Sequence, residues 1–160
     1  MPDVFISYST TDADFSNYVC SVLRNQKLNV FMAPISLEPG RDWTNDIHEA
    51  LRSSKWVIFL ASKKAVKSEF VLQEIGSAIV GKKILIPIVW EIPPHELPGW
   101  AKDYQAIDIT NDKPVEMASK IASLAIKLRT KKRNGMLIAG ALVSGLFLLA
   151  AFGDNGEENE

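Results

Sequence analysis

Apolar residues fall along the chain in two rhythms. Short solid blocks recur at Asp3 to Tyr8 (DVFISY), Leu28 to Met32 (LNVFM), Trp56 to Ala61 (WVIFLA), Ile84 to Trp90 (ILIPIVW) and Gln105 to Ile109. They are rich in β-branched and aromatic residues and bounded by polar or Pro- and Gly-bearing segments, which predicts strands. The fourth block is apolar throughout, as a strand covered on both faces should be. Pro87 inside it predicts a bulge or an irregular end. Between the blocks the period changes to that of a helix. Phe15, Val19, Val22 and Leu23 form one stripe, over a helix from Ser9–Asp12 to about Gln26. Ile47, Ala50 and Leu51 form a second, behind a cap at Asp42 or Thr44, and Val71, Ile75, Ala78 and Ile79 a third. Val115, Ala118, Ile121, Ala122 and Ala125 form a fourth, over Lys113 to about Arg129. Each such stripe predicts a helix face packed on a sheet.

Strands alternating with helices over about 130 residues predict an α/β domain: a five-stranded, doubly wound parallel sheet with helices on both faces, in flavodoxin-like order. In such sheets ligands bind at the carboxyl edge of the strands. Two stretches belong there. The long loop Ala33 to Trp43 (APISLEPGRDW) is punctuated by Pro34, Pro39 and Gly40. The other, Ser62 to Ala78 (SKKAVKSEFVLQEIGSA), opens the third helix; Phe70, Glu74 and Ser77 form a polar-edged stripe beside its buried face. A carboxylate at Glu74 would sit half-desolvated, ready for acid–base or electrostatic chemistry.

The last rhythm is neither of these. Gly135 to Gly153 (GMLIAGALVSGLFLLAAFG) is 19 residues without a charge. As a helix it would extend about 28 Å, near the hydrocarbon thickness of roughly 30 Å. Lys127, Arg129, Lys131, Lys132 and Arg133 precede it, and only acids follow. The pattern predicts a domain at residues 1–130, a basic juxtamembrane segment at 131–134, a transmembrane helix at 135–153 and an acidic tail at 154–160. The positive-inside rule puts the domain in the cytoplasm of a single-pass membrane protein, with the tail across the bilayer. Small-residue pairs, Gly140 with Ser144 and Ala141 with Gly145, suit helix–helix packing in lipid. The basic cluster suits anionic headgroups.

Composition narrows the chemistry. The net charge is −1, so there is no bulk electrostatic case for nucleic acid, although residues 1–134 carry all 18 bases and 15 of the 19 acids. A single cysteine, Cys20, rules out an intramolecular disulfide and a cysteine-based metal site. His48 has no second His or Cys near it in sequence, so it is expected on the surface and no metal is expected. The chain has no GxGxxG, GxxxxGK[ST], GxSxG or HExxH. No resident cofactor is expected.

Four blocks in order resemble the Toll/interleukin-1 receptor (TIR) domain of the bacterial type: DVFISYSTTD (Asp3 to Asp12), FMAPISLEPGRDW (Phe31 to Trp43), IHEALRSSKWVIFLAS (Ile47 to Ser62) and SEFVLQEIGSA (Ser68 to Ala78). LPGWAKDYQAIDI is similar too. The resemblance implies that Ala33 to Trp43 is the BB loop, through which the domain self-associates or meets other TIR proteins. It also implies that Glu74 stands where NAD⁺-cleaving members carry their catalytic glutamate, with NAD⁺ as substrate rather than cofactor. Ser7 and Tyr8 would line the nucleotide pocket. Arg41 and Trp43 would meet phosphates and a base ring, or serve assembly. Phe70 would supply the aromatic face where active relatives often have tryptophan.

Three functions follow from the resemblance. The first is a membrane-anchored NAD⁺ glycohydrolase or cyclase in immune or cell-death signalling, such as prokaryotic antiphage defence. The second is a non-catalytic TIR adaptor. The third is a TIR-triggered, membrane-disrupting span. Because family members commonly complete their site between subunits, the isolated domain is expected to be weakly active as a monomer.

Overall fold

The computed structural model describes residues 1–35, 45–67, Gly76 and 83–149, without the side chains of Pro34, Ile35, Trp100 and residues 136–149. Five parallel strands form one sheet: β1 (Val4–Ser9), β2 (Val30–Ile35), β3 (Trp56–Ala61), β4 (Ile84–Val89) and β5 (Ile107–Asp108), in the order β2-β1-β3-β4-β5. That is the flavodoxin-like order. The described helices are α1 (Ala13–Asn25), α2 (Asn45–Ser53) and α3 (Pro114–Leu149).

Side-chain alternation along the strands feeds two cores. On one face Val4, Ile6, Val30, Ile58, Leu60 and Ile88 pack against Val19 and Leu23 of α1 and Ile121, Leu124, Ala125 and Leu128 of α3. On the other, Phe5, Val57, Phe59, Leu85 and Val89 pack against Ala50 and Leu51 of α2 and against Ile92, Leu97 and Ala101 from the β4–β5 connection. Every residue of β3 is buried, as a central strand covered on both faces should be. Burial of a single large apolar side chain of this kind stabilises the fold by about 1.5–3 kcal/mol.

The structure moves several expected boundaries. β2 runs on to Ile35, taking Ala33 and Pro34 out of the expected loop. The proline fits because β2 is an edge strand, where a missing ladder donor is tolerated. Pro87 makes no bulge. Its register with Phe59 is unbroken, and β5 pairs only with Ile88 and Val89, so β4 is an edge on that side at Pro87. α3 starts a residue late, and its first turn lies off the sheet. Val115, expected inward, is 80% exposed, and the buried stripe runs instead through Ile121, Leu124, Ala125 and Leu128.

α1 ends in a left-handed turn. Lys27 has φ 62°, its N–H donates to Arg24 O at 2.9 Å, and Leu28 N donates to Leu23 O at 3.3 Å. This is the Schellman arrangement, with Leu23 and Leu28 in the same apolar cluster, but with lysine where glycine is favoured.

α3 runs antiparallel to the strands. Near its start Lys120 pairs with Asp112 beyond β5, and further on Lys132 pairs with Asp3 ahead of β1 at 2.7 Å. The helix does not stop at Arg129 but continues unbroken to Leu149, 36 residues, about 54 Å. Among the described residues no helix is long and apolar enough to cross a membrane. Beyond Gly135, the side chains of the expected span at 135–153 lie outside the described residues, as does all of the tail 154–160.

Candidate functional site

The order of the sheet fixes where a ligand can enter. From β1 the chain crosses to β2 on one side, then returns past β1 to β3 on the other. The direction of winding reverses between β1 and β3, and such a switch point opens a crevice at the carboxyl ends of the two strands. The residues there are Ser7 to Asp12 after β1 and Ser62 to Lys67 after β3.

Polar groups are buried at this crevice. Ser7, Ser9, Asp12, Ser16 and Ser62 are each 5% exposed or less. Ser9 Oγ lies 3.0 Å from Thr11 Oγ1, which donates to Asp12 Oδ1 at 3.3 Å. The Ser62 hydroxyl accepts from Ala65 N at 3.1 Å and so shapes the turn that follows β3. Lys63 N donates to Glu91 Oε2 at 3.1 Å, tying the ends of β3 and β4 together. Phe15 stacks on Trp90 with ring centroids 4.6 Å apart. Within this frame Ser7 Oγ, Asp12 Oδ2, Ser16 Oγ and Trp90 Nε1 are buried without a hydrogen-bond partner. An unpaired buried polar group costs about 1–3 kcal/mol, so a cluster of them at a crevice marks a place where water or ligand completes the pairing.

Asp12 sits in a perturbed environment. Burial pushes its carboxyl above the ordinary aspartate range, and the Glu91 charge adds to this, while Ser62, Thr11 and Lys64 pull the other way. A carboxyl so placed holds a proton more readily than a solvated one and can donate as well as accept a hydrogen bond.

Ser7 and Tyr8 are not brought together as one pocket wall. As neighbours on β1 they point to opposite faces. Tyr8 packs against the α1–α3 core, where burial raises its pKa. Ser7 lies on the Phe5 side, beneath the end of β1. Glu74, Phe70, Arg41 and Trp43 lie outside the described residues, as does the BB loop after Ile35; within 68–82 the described residue, Gly76, is helical. His48 on α2 is half-buried. Among the described residues no group of three or more His, Cys, Asp or Glu is placed to hold a metal ion. Sequence reasoning missed Asp12 as a site residue and read it only as a helix-start acid. The available signal was its place three residues after Ser9 and four before Ser16, which puts it on the inward face as α1 begins.

A family model described as the TIR domain matches residues 4–124. No curated protein matches the chain. Among solved structures the chain is similar to the TIR domain of the Toll-related receptor TRR-2 from Hydra magnipapillata, at 18% identity and a TM-score of 0.63, over 81% of this chain and 99% of that one. It is also similar to the TIR domains of the activated Roq1 resistosome, which directly recognises the pathogen effector XopQ, at 14% identity and a TM-score of 0.64, over 80% and 99%. A third similar structure is the metazoan TIR-STING receptor from C. gigas bound to 2',3'-cGAMP, at 19% identity and a TM-score of 0.57, over 76% of this chain and 40% of that one. At these identities the likeness is one of fold.

Proposed function

We propose a function from one premise: the chain belongs to the TIR-domain family. The domain is an NAD⁺-cleaving signalling enzyme that breaks the nicotinamide–ribose bond, tethered by residues 135–153 to a membrane whose cytoplasmic side it faces. The observation that carries the reading is the buried, incompletely paired polar crevice at the switch point, where Ser7, Asp12 and Ser16 leave side-chain atoms for a polar ligand.

Glu74 carries the charge the chemistry needs. Departure of neutral nicotinamide leaves an oxocarbenium-like ribose, which an adjacent carboxylate stabilises. The same group can hold the ribose hydroxyls and orient the sugar for attack, and the charge it faces is of the kind that carboxylates stabilise in glycoside hydrolysis. Water as acceptor gives ADP-ribose, and an atom of the same molecule gives a cyclic product. Ser7 is a hydrogen-bonding wall, Phe70 a stacking face for nicotinamide, and Arg41 and Trp43 contacts for phosphate and base. Assembly through the BB loop, between Ile35 and Trp43, brings neighbouring domains together and completes the site. The similar Roq1 and TIR-STING structures support an immune-signalling setting.

The test is NAD⁺ turnover by the full chain in liposomes, wild type and Glu74→Ala, with nicotinamide and the ADP-ribose products resolved by chromatography. Loss of a positioned carboxylate lowers the rate by on the order of 10²-fold or more. An assembled wild-type protein that turns over no NAD⁺ would overturn the enzymatic reading and leave a TIR adaptor.

A further inference from the structure

The edge of the sheet opposite the crevice carries a different chemistry. All strands are parallel, and the loops that feed β2, β3 and β4 at this amino edge are basic. Lys27 precedes β2, Arg52 and Lys55 precede β3, and Lys83 precedes β4. Arg129, Lys132 and Arg133 reach the same edge along α3. The contacts prove the convergence. Arg129 Nη1 donates to Gln26 Oε1 at 3.2 Å, and Lys132 Nζ lies 2.7 Å from Asp3 Oδ2. Gly135 lies close enough to Lys55 that a Cβ there would stand 3.4 Å from Nζ. Lys83 Nζ donates to Ser54 O at 2.7 Å and also to Arg52 O.

Among the described residues of the loops before β1, β2, β3 and β4, Asp3 is the one acid, and it is engaged by Lys132 and by Asn29 N at 2.7 Å. Glu91 after β4, Asp108 at the end of β5, Asp112 beyond it and the acids of the helix starts (Asp14, Asp46, Glu116) lie towards the carboxyl edge. The basic surface is also held in shape. Asp3 O accepts from both Lys55 N and Trp56 N at 3.1 Å, Asp3 N donates to Asn29 O at 2.8 Å, and Ile84 N donates to Lys55 O at 3.4 Å. The loops before β1, β2, β3 and β4 are thus tied to one another, across about 14 Å of strand spacing.

We infer that this amino edge is a docking face for an anionic lipid surface. The argument is one of alignment as well as charge. α3 runs antiparallel to the strands, so it leaves the domain through the plane of the basic loops, and its backbone continues as helix into the uncharged stretch from Gly135. The cations therefore ring the point where the apolar segment emerges. A bilayer presents both partners together, headgroup phosphate and carboxylate outside hydrocarbon, and each basic residue near such a surface strengthens attraction about fivefold. Docked in this way, the domain turns its crevice away from the lipid. The inference deepens the membrane reading above and can stand or fall separately from it.

The test uses the full chain with vesicles of phosphatidylcholine alone or with 30% phosphatidylserine. A fluorophore is placed through Asn25→Cys at the amino edge or Asp14→Cys at the carboxyl edge, Cys20 being buried. A headgroup-borne quencher should quench the Asn25 probe at least threefold more than the Asp14 probe, in phosphatidylserine vesicles only, and 0.5 M salt should remove the difference. The triple variant Lys27→Gln/Arg52→Gln/Lys55→Gln, all exposed positions, should lower the docked-to-free ratio on the order of 10²-fold; the salt series on wild type gives the same answer without mutation. Equal quenching of the two probes, or indifference to phosphatidylserine, overturns docking. Displacement from the vesicles by a DNA duplex at equal phosphate concentration overturns the lipid assignment in favour of nucleic acid. Flotation separates the two readings: a chain that floats with pure phosphatidylcholine at high salt is held by its span. One that floats only with phosphatidylserine is held by the basic face alone. One that floats with neither defeats both.

Discussion

Ile121 and Val115 give the sharpest test of how α3 is seated. They lie on one helix six residues apart, and both are expected inward by periodicity. The structure places Ile121 at 0% exposure, among α1 and the central strands, and Val115 at 80% exposure in the first two turns. Ile121→Ala removes three buried carbons, about 2.4 kcal/mol of transfer free energy at ~0.8 kcal/mol each. The strands beneath it pair on both sides and cannot collapse far, so a cavity term adds to this and the total reaches about 3–4 kcal/mol. For a chain of this size each kcal/mol is worth roughly 2–4 °C, so Tm falls by about 6–16 °C. Val115→Ala should stay within about 0.5 kcal/mol of wild type. The assay is denaturant and thermal unfolding of the full chain in mild detergent, followed by the fluorescence of buried Trp56. A Val115→Ala loss equal to that of Ile121→Ala, or an Ile121→Ala loss below about 1 kcal/mol, would refute the seating of the helix.

Other outcomes follow from the same structure. Lys27→Gly relieves a left-handed residue at the end of α1 and should raise stability by roughly 0.5–1 kcal/mol in the same unfolding assay, while weakening attraction to anionic vesicles. Because burial raises the Asp12 pKa, the folded state holds that proton more tightly than the unfolded chain. Its contribution is full below the ordinary aspartate value and is lost as pH rises through the folded pKa. Asp12→Asn should flatten that part of the profile of unfolding midpoint against pH, and an unchanged profile would exclude Asp12 as its source. Asp108 has the opposite sign. The Thr110 backbone N–H, donating at 2.9 Å, lowers its pKa, so its contribution is present above the unfolded value and lost as pH falls through the folded one. Asp108→Asn should therefore alter only the acid limb of that profile.

The sheet was legible because each strand announces itself locally. WVIFLA is apolar at every position, and β3 is buried at every position. The helix stripes of α1 and α2 were legible for the same reason, since a 3.6-residue period needs no knowledge of the partner. What failed depended on the partner. Whether Val115 is inward depends on where α3 first touches the sheet, and Pro34 and Pro87 are harmless only because of which strand edges they occupy. The segregation of charge to one edge is likewise a property of topology, since Lys27, Lys55 and Lys83 are far from one another in sequence and come together only when their strands align. At the candidate site, Ser7 was named by the resemblance, together with Tyr8, and the structure buries its side chain on β1. Asp12 was not legible, because its burial comes from the ends of β3 and β4, far away in sequence. The resemblance named Glu74 and its companions from motif order, which the family match supports at the level of the domain.

The unbroken backbone of α3 has a mechanical consequence. A helix that packs against the sheet at Leu128, pairs with Asp3 through Lys132 and is still helical at Leu149 has no loop between its two ends. Its pitch converts chain length into angle: each residue inserted or removed after Gly135 turns the outer segment by about 100° relative to the domain and shifts it by 1.5 Å. The azimuth of the crevice is thus geared to whatever grips the far end of the rod.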